Sequence, residues 1–311
     1  MKKVLFATTA LVATAGVAAA DVAITGEAEM GIVGGDRYGD ETEFWTSVDV
    51  FFTMSGETDG GLQFGAKVDL DEADNINGDG SDGVEVFLTG DFGGIYMGDT
   101  DGAYDRVLTE NYGNPGSIDD SETLHAGYNN GAGLDGDYGG EIMRYEYSIS
   151  GFRVAGSLEL ENGDDDYIWA LGASYTFDFS GGSADVALAY QEDTGTNAEL
   201  IGFTAGVTLD GGFTGGIMYQ EGDSNNGGVD ETFMGISAGY TFDAISIGVN
   251  YGIYEEDGSG DENDGFGIAA TYDLGGGAEI RAAYANGDVG GAGAGTGNDG
   301  DAWSLGVRMS F

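Results

Sequence analysis

The chain contains no cysteine and only one histidine among its 311 residues. Without cysteine, no disulfide framework can stabilise the protein in an oxidising compartment. A lone histidine also excludes zinc sites built on paired histidines or cysteines. A catalytic Ser-His-Asp triad would have to use His125, and no G-x-S-x-G sequence frames a serine. The sequence therefore predicts that the protein is not an enzyme and that His125 is a polar loop residue. The one enzymatic alternative is a hydrolase in which His125 pairs with a loop acid.

Basic residues and long apolar runs are also scarce. Nine Lys and Arg residues stand against 56 Asp and Glu residues, for a formal net charge of −47. A charge this negative repels nucleic acid and anionic lipid headgroups, and it destabilises a compact soluble core. After residue 20 there is no run of about 18 apolar residues, so no transmembrane helix is predicted.

Residues 1–20 have the pattern of a cleaved signal peptide. Two lysines precede an apolar stretch from Val4 to Val17, and three alanines then provide the small residues that a signal peptidase accepts. An N-terminal membrane anchor is the alternative, but the stretch is shorter than the ~20 residues that a spanning helix needs. We therefore expect an exported protein whose mature domain is residues 21–311.

Glycine and aromatic residues are abundant, with 61 Gly, 17 Tyr and 16 Phe but one Pro. Collagen would require glycine at every third position and much proline, and a disordered chain would have few aromatics. Apolar and polar residues alternate with period two along the chain, as in 62–70, 245–254 and 303–311. In a soluble sandwich the apolar face would cover a core, whereas in an outer-membrane barrel it faces lipid.

The alternating segments predict sixteen strands, near residues 22–32, 43–54, 62–70, 84–90, 94–99, 141–149, 152–160, 167–177, 183–190, 199–209, 213–219, 232–242, 245–254, 265–273, 278–285 and 302–311. Their connections alternate between short turns and long loops, which is typical of outer-membrane barrels and not of sandwiches. Aromatics cluster near the strand ends, where a barrel carries its aromatic girdles. We therefore predict an all-β fold, a 16-stranded antiparallel transmembrane β-barrel.

The positions of the basic residues along the strands support a barrel whose apolar face points to lipid and whose polar face points to the lumen. The strand cations all fall on the polar face: Lys67, Arg144, Arg153, Arg281 and Arg308. A basic side chain on the lipid face at mid-membrane would cost about 2–4 kcal/mol, so this sorting is what a lipid-facing surface requires. Counting from the short turns places Lys67 and Arg144 several residues into the barrel, and the other three nearer its rim or wall.

The chain resembles the trimeric general diffusion porins of purple non-sulphur bacteria, the alphaproteobacterial or Rhodobacter-type family. The resemblance lies in residues 22–30, 52–66, 88–99, 145–148, 175–177 and 272–278 and in the terminal Phe311. It implies a homotrimer in the outer membrane of a Gram-negative bacterium, in contact with lipid and lipopolysaccharide. It also implies that the barrel-assembly machinery reads Phe311 as a signal, and that a long third loop folds into the lumen.

Residues 100–140 are the longest connection, and we expect them to form this constriction loop; a disordered surface flap is the alternative. The expected acidic constriction residues are Asp99, Asp101, Asp105, Glu110, Asp119, Asp120 and Glu122, and the expected pore-wall residues are Asp49, Lys67, Asp69, Glu85, Arg144 and Glu146. The resemblance implies wall arginines on the second strand, but Ser47 and Asp49 stand there. The sequence therefore predicts a net negative, cation-preferring pore, although any single acid can serve solubility alone.

The sequence predicts no required cofactor, but its acidic loops are candidates for calcium binding. Residues 75–86 resemble an EF-hand loop only at their start, since Val86 occupies the twelfth position. Weak calcium binding is expected at the acidic loop residues Asp119, Asp120, Asp164, Asp165 and Asp166. The predicted function is passive diffusion of small hydrophilic solutes and ions. The alternatives are a substrate-selective channel and a plugged structural or adhesive surface barrel.

Overall fold

The computed structural model describes residues 21–70, 83–118, 133–136, 138–161, 165–222, 231–256, 262–288 and 299–311. These residues form sixteen strands: β1 (Asp21–Gly35), β2 (Glu41–Glu57), β3 (Gln63–Asp69), β4 (Val84–Gly90), β5 (Gly93–Asp99), β6 (Glu141–Ile149), β7 (Phe152–Leu160), β8 (Tyr167–Phe179), β9 (Gly182–Asp193), β10 (Glu199–Leu209), β11 (Phe213–Gly222), β12 (Glu231–Phe242), β13 (Ile245–Glu256), β14 (Glu262–Gly275), β15 (Ala278–Asp288) and β16 (Asp299–Ser310). A 3-10 turn (Asp36–Tyr38) follows β1, and the helix α1 (Ala103–Val107) follows β5. The predicted signal peptide, residues 1–20, lies outside the described residues.

The sixteen strands form one closed barrel. Each strand pairs antiparallel with the next along the chain, and β1 pairs with β16 to complete the ring, with Gly31 opposite Gly306. Closure leaves no unpaired strand edge, which a membrane-spanning sheet requires because lipid offers no hydrogen-bond partners. The predicted fold class and all sixteen predicted strands are confirmed.

Alternate residues face outward and inward along every strand. Outward side chains are apolar and exposed; Val22 and Ile24 of β1 are each 63% exposed, for example. The inward face carries the five strand cations that were predicted to lie there. No helix among the described residues is long and apolar enough to span a membrane.

Aromatic rings gather near the short turns on the outward face. Phe152 and Tyr175 stack with ring centroids 4.1 Å apart, and Tyr240 stacks on Phe242 at 5.8 Å. Rings of this kind favour the boundary between lipid and water, where an apolar face and a polar tip are both accommodated. The predicted girdle therefore forms at the turn side of the barrel.

The strands differ from their predicted lengths mainly at the long-loop side. β9 runs to Asp193 and β14 begins at Glu262, so both extend beyond the alternating apolar pattern. The pattern ends where lipid contact ends, whereas the backbone ladder continues as long as the neighbouring strand offers partners. In contrast, β3, β4 and β5 have seven residues each and form one low side of the barrel.

Candidate functional site

The third loop lies inside the barrel over its described part. After β5 the chain turns into α1, where Ala103 and Tyr104 are fully buried, and it continues to Ile118, which is also fully buried. The backbone N–H of Ala103 donates to Oγ of Ser157 on the inner face of β7 at 2.8 Å. A flap on the outer surface would be exposed, so residues 101–118 form an inner loop against the barrel wall.

Inward-facing glycines provide the space for this inner loop. Val107 packs against Gly172 of β8, the Tyr112 ring lies between Gly206 of β10 and Gly216 of β11, and Pro115 lies on Gly248 of β13. A β-carbon on Gly216 would lie 2.2 Å from Cδ2 of Tyr112, so no other residue fits there without displacing the loop. We call the glycines under the loop the glycine seat: Gly172, Gly202, Gly206, Gly216, Gly239 and Gly248.

An apolar cluster between the loop and the wall fixes the loop further. Tyr104, Val107, Leu108 and Leu134 pack against inward-facing residues of β8 to β12, namely Ile168, Ala170, Ala187, Ala189, Leu200, Met218 and Phe233. Burying each large apolar side chain contributes about 1.5–3 kcal/mol. Sequence reasoning missed these wall residues because it assigned the inward face to polar and small residues. The signal was present as apolar residues at inward positions, such as Leu200 and Phe233.

Carboxylates of the wall bind the returning end of the loop. Glu159 of β7 is 1% exposed and accepts hydrogen bonds from the backbone N–H groups of Gly136, Tyr138 and Gly140 at 2.9, 3.0 and 2.8 Å. The Tyr138 hydroxyl donates to Asp193 of β9 at 2.5 Å. The loop therefore has a polar attachment at its end, which complements the apolar cluster.

Asp135 joins the two ends of the loop. Its carboxylate accepts hydrogen bonds from the backbone N–H of Gly102 at 2.8 Å and from Nε2 of Gln191 at 2.5 Å. Burial raises the pKa of Asp135 to about 7, and the nearby carboxylates of Glu159 and Asp105 add to the effect. This carboxyl group therefore changes charge near neutral pH.

Two buried tyrosines link the middle of the loop to the wall. The Tyr104 hydroxyl donates to Oε1 of Gln220 at 2.7 Å, and the Tyr112 hydroxyl donates to Oδ2 of Asp185 at 2.5 Å. Burial is the main cause that raises the pKa of both tyrosines above the usual value, so their hydroxyls stay protonated as donors. Neither tyrosine was singled out from the sequence.

Most cations of the described lumen are paired with carboxylates. Arg106 of the loop and Arg144 of β6 share Glu146, at 2.8 and 3.7 Å, and Arg308 pairs with Glu27. Arg281 pairs with Glu279 and also donates to the backbone oxygen of Ser117 at 2.9 Å. Arg281 therefore holds the loop, although the sequence placed it only at the rim or wall.

The predicted pore-wall and loop acids occupy different positions. Asp49 contacts Ser47 on the inner face of β2, and Glu85 accepts a hydrogen bond from Thr100 at 2.7 Å. Asp69 lies on the inner face of β3 opposite Phe51. Asp101 is exposed near Arg144, while Asp105 and Glu110 are half-buried in the loop.

Asp99 differs from the other predicted constriction acids. It has an outward-facing strand position and accepts the backbone N–H of Gly83 at 2.7 Å. The sequence grouped it with the lumen acids because it begins the long loop, but strand parity still governs its direction. The predicted Asp119, Asp120, Glu122 and Asp164, and His125, lie outside the described residues.

The calcium prediction has two residues within the described part of the chain, Asp165 and Asp166. No group of three or more His, Cys, Asp or Glu side chains there is arranged to hold a metal ion. Calcium binding by the acidic loops stays a prediction.

Comparison with known proteins agrees with this architecture. The model of the Gram-negative porin family matches residues 7–292. A porin from Rhodobacter capsulatus is 30% identical over 300 residues, covering 86% of this chain and 95% of that porin. A porin structure refined at 1.8 Å resolution matches with a TM-score of 0.71 and 26% identity, covering 94% of this chain and all of that one. An anion-selective porin from Comamonas acidovorans has the same coverage, a TM-score of 0.66 and 14% identity, which shows a shared fold alone.

The family match extends over nearly the whole barrel, including the inner loop and its glycine seat. A water-exposed lumen narrowed by a loop passes solutes without chemical change, and the outward apolar face requires a membrane around it. The chain belongs to the Gram-negative porin family and is a diffusion channel of the outer membrane, not an enzyme.

Proposed function

We propose that this porin conducts cations in preference to anions. The observation that carries the proposal is the charge balance of the described lumen. Four of the six basic residues that line the described lumen pair with carboxylates, namely Arg106, Arg144, Arg281 and Arg308, so their positive fields are largely cancelled close to the wall. Further carboxylates, such as Asp49 and Glu85, add to a negative potential that enriches cations.

Reversal potentials in planar bilayers under a KCl gradient test this proposal. We expect the sign that corresponds to K⁺ permeation, with selectivity that falls at high salt, since the Debye length is only about 3 Å at 1 M. The fold itself does not determine the sign, because the matching Comamonas porin is described as anion-selective. A reversal potential of the opposite sign at low salt would contradict the proposal.

Two matched variants separate lumen acids from surface acids. Asp49→Asn removes an inward carboxylate of β2, whereas Asp99→Asn removes an outward one at the end of β5. We expect weaker cation selectivity in the first variant and wild-type selectivity in the second. Equal changes in both would mean that the general surface charge sets selectivity, which contradicts a lumen origin.

The solutes proposed for this channel are small hydrophilic molecules and ions, with residues 100–140 as the constriction loop. The inner loop contacts the inner face of the wall from Ser157 of β7 to Gly306 of β16, so it occupies part of the lumen. Conductance in the presence of polyethylene glycols of increasing size measures the resulting exclusion limit. A variant that lacks the loop should admit larger polymers, and an unchanged limit would assign the constriction elsewhere.

We propose that the channel is a homotrimer that associates through the low side of the barrel. Strands of seven residues, rising about 3.4 Å per residue at a tilt of ~45°, cover roughly 17 Å of the ~25 Å apolar band. Their outward residues are apolar, with Val86 and Met97 each 53% exposed. An apolar concavity of about 440 Å³ lies between them. Protein contact on this side would cover the mismatch better than lipid.

Sizing of the detergent-solubilised protein tests the trimer. Met97→Arg should yield monomers, because it buries a charge in the proposed interface. Ile236→Arg on β12, where the outward face would contact lipid, should leave the trimer intact even if the barrel is less stable. Monomers in both variants, or in the wild type, would contradict this interface.

We also propose that Phe311 is the residue read by the barrel-assembly machinery. Its backbone exchanges hydrogen bonds with Gly26 of β1, at 2.8 and 3.4 Å, and its ring is 77% exposed on the outward face. The ring is therefore accessible while the residue completes barrel closure. Phe311→Ala should lower the amount of assembled protein in the outer membrane, where lipopolysaccharide is the proposed outer-leaflet contact. Refolding of the purified variant in detergent should stay normal if the defect lies in recognition.

A further inference from the structure

Aromatic residues face the lumen almost entirely on one part of the barrel wall. Strand parity places six described strand aromatics inward, and two of these, Phe233 and Tyr254, pack at the apolar cluster beside the loop. The other four form what we call the aromatic track: Trp45, Phe51, Phe87 and Tyr96, on β2, β4 and β5. All four are partly exposed, so their rings meet the lumen water.

The wall is shaped to let the lower rings of the track lie flat. Phe87 and Tyr96 are direct cross-strand partners with ring centroids 6.4 Å apart. A β-carbon on Gly65 would lie 2.5 Å from Cζ of Phe87, and one on Gly94 would lie 2.6 Å from Cε2 of Tyr96. Each ring therefore lies over a glycine of the wall, and both residues remain partly exposed.

The track follows the direction of solute passage. Trp45 lies near the long-loop end of β2, Phe51 lies in the middle of that strand, and the Phe87–Tyr96 pair lies in the middle of the short strands β4 and β5. Six residues, about 20 Å of strand, separate Trp45 from Phe51, so the rings offer successive stacking positions along the wall. Exposed aromatic rings also cost free energy in water, and a ligand with an apolar face would recover part of that cost.

The charges beside the track select the class of ligand. Nζ of Lys67 lies 4.5 Å from the centre of the Phe51 ring, and the Arg144 guanidinium lies 4.8 Å from that of Tyr96. These protein cations already use the attraction between a ring face and a positive charge, which disfavours organic cations. Asp49, Asp69 and Glu85 disfavour anions. An uncharged molecule with a flat apolar face and a rim of hydroxyl groups avoids both penalties.

We propose that the aromatic track is a binding site for neutral sugars, which stack a pyranose face on the rings and hydrogen-bond through their hydroxyls. Lys67 donates to hydroxyl oxygens, and the wall carboxylates accept hydroxyl protons. The track gives the channel a weak, saturable affinity for oligosaccharides in addition to passive diffusion of ions. This affinity is independent of the cation preference proposed above.

Conductance block by maltotriose tests the track. With purified wild-type protein in a planar bilayer, the KCl current should fall and saturate as maltotriose is added. Phe51→Leu and Phe87→Leu keep the apolar volume but remove the ring, and each should raise the half-blocking concentration about threefold to tenfold. Phe266→Leu, an outward-facing aromatic on β14, is the matched control and should behave as wild type.

Tryptophan fluorescence in detergent provides a readout that does not depend on conduction, since Trp45 belongs to the track. Maltotriose should change the emission of the wild type with a saturable dependence that weakens in Phe51→Leu. If the protein binds maltotriose but conducts no current, the result contradicts its function as a diffusion channel and supports sugar binding at the aromatic track. A current that falls only in proportion to viscosity, equally in wild type and both leucine variants, would overturn the track. Block by tetramethylammonium but not by maltotriose would overturn it as well.

Discussion

The glycine seat makes a specific prediction, because Gly216→Ala places a methyl group where the Tyr112 ring lies. The new β-carbon would be 2.2 Å from Cδ2 of Tyr112, about 1.3 Å inside the ~3.5 Å at which carbon atoms make contact. The ring has no room on its other side, since it also covers Gly206. Tyr112 must therefore move toward the lumen axis or be compressed in place.

Both responses weaken the attachment of the loop. Compression of a packed ring costs about 1–3 kcal/mol. A shift of about 1.3 Å would stretch the 2.5 Å hydrogen bond from the Tyr112 hydroxyl to Asp185 beyond its useful range, and losing a bond to a charged group costs about 1.5–3 kcal/mol. We expect a lower single-channel conductance, because the displaced loop occupies more of the lumen, and faster cleavage by trypsin after Arg106 of α1.

The neighbouring glycine supplies the control. Gly215→Ala changes the same strand but adds its methyl group on the outward face, where the nearest atom is the tip of the Phe213 ring at 3.1 Å. That ring can rotate into lipid, so conductance and trypsin cleavage should match the wild type. If Gly216→Ala and Gly215→Ala behave alike in both assays, the loop does not depend on its glycine seat and the reasoning fails.

Three further perturbations act on the loop attachment. Glu159→Gln leaves one acceptor oxygen for three backbone N–H donors, so we expect the loop attachment to lose about 1–3 kcal/mol of stability and the open-channel current to become noisier. Current noise equal to that of the wild type would contradict this role. Because the pKa of Asp135 is raised to about 7, its contribution to stability is fully present below about pH 4 and is lost as the pH rises through 7. The midpoint temperature of thermal denaturation should therefore fall by several degrees between pH 5.5 and 8 in the wild type, and by less in Asp135→Asn. If this temperature depends on pH in the same way in both proteins, the assignment is refuted. Arg281→Gln removes the bond to the Ser117 carbonyl and should increase trypsin cleavage at Arg106, whereas Arg308→Gln, which pairs with Glu27 away from the loop, should not.

The strand architecture was accessible from the sequence because its signal is local. In 245–254, side chains alternate between Ile, Val or Tyr and small or polar residues, and the structure turns the first set outward in β13. The same two-residue period put Arg281 and Arg308 on the inner face, since a charge on the lipid side is too costly. Closure into a ring also followed, because lipid leaves no stable alternative for strand edges.

The candidate site was only partly accessible from the sequence. Lys67, Arg144 and Glu146 were identified as inward residues by parity, but the pair that Glu146 makes with Arg106 depends on the position of the loop. Phe233 and Leu200 are apolar residues on an otherwise polar inner face. The structure explains them because they belong to one apolar cluster with Tyr104 of the loop. Asp99 was assigned by its place in the chain, whereas its direction follows the strand that it ends.

By itself the sequence determined the outer-membrane barrel, its strand number and the alternation that turns apolar side chains outward. These properties follow from composition and from a two-residue period, both of which are readable without distant contacts. Only the tertiary structure decided that Tyr112 lies between Gly206 and Gly216, and that four aromatic rings line the wall of β2 to β5. Barrel closure brings together residues far apart in the chain, such as Gly31 and Gly306, and no local pattern records which of them meet.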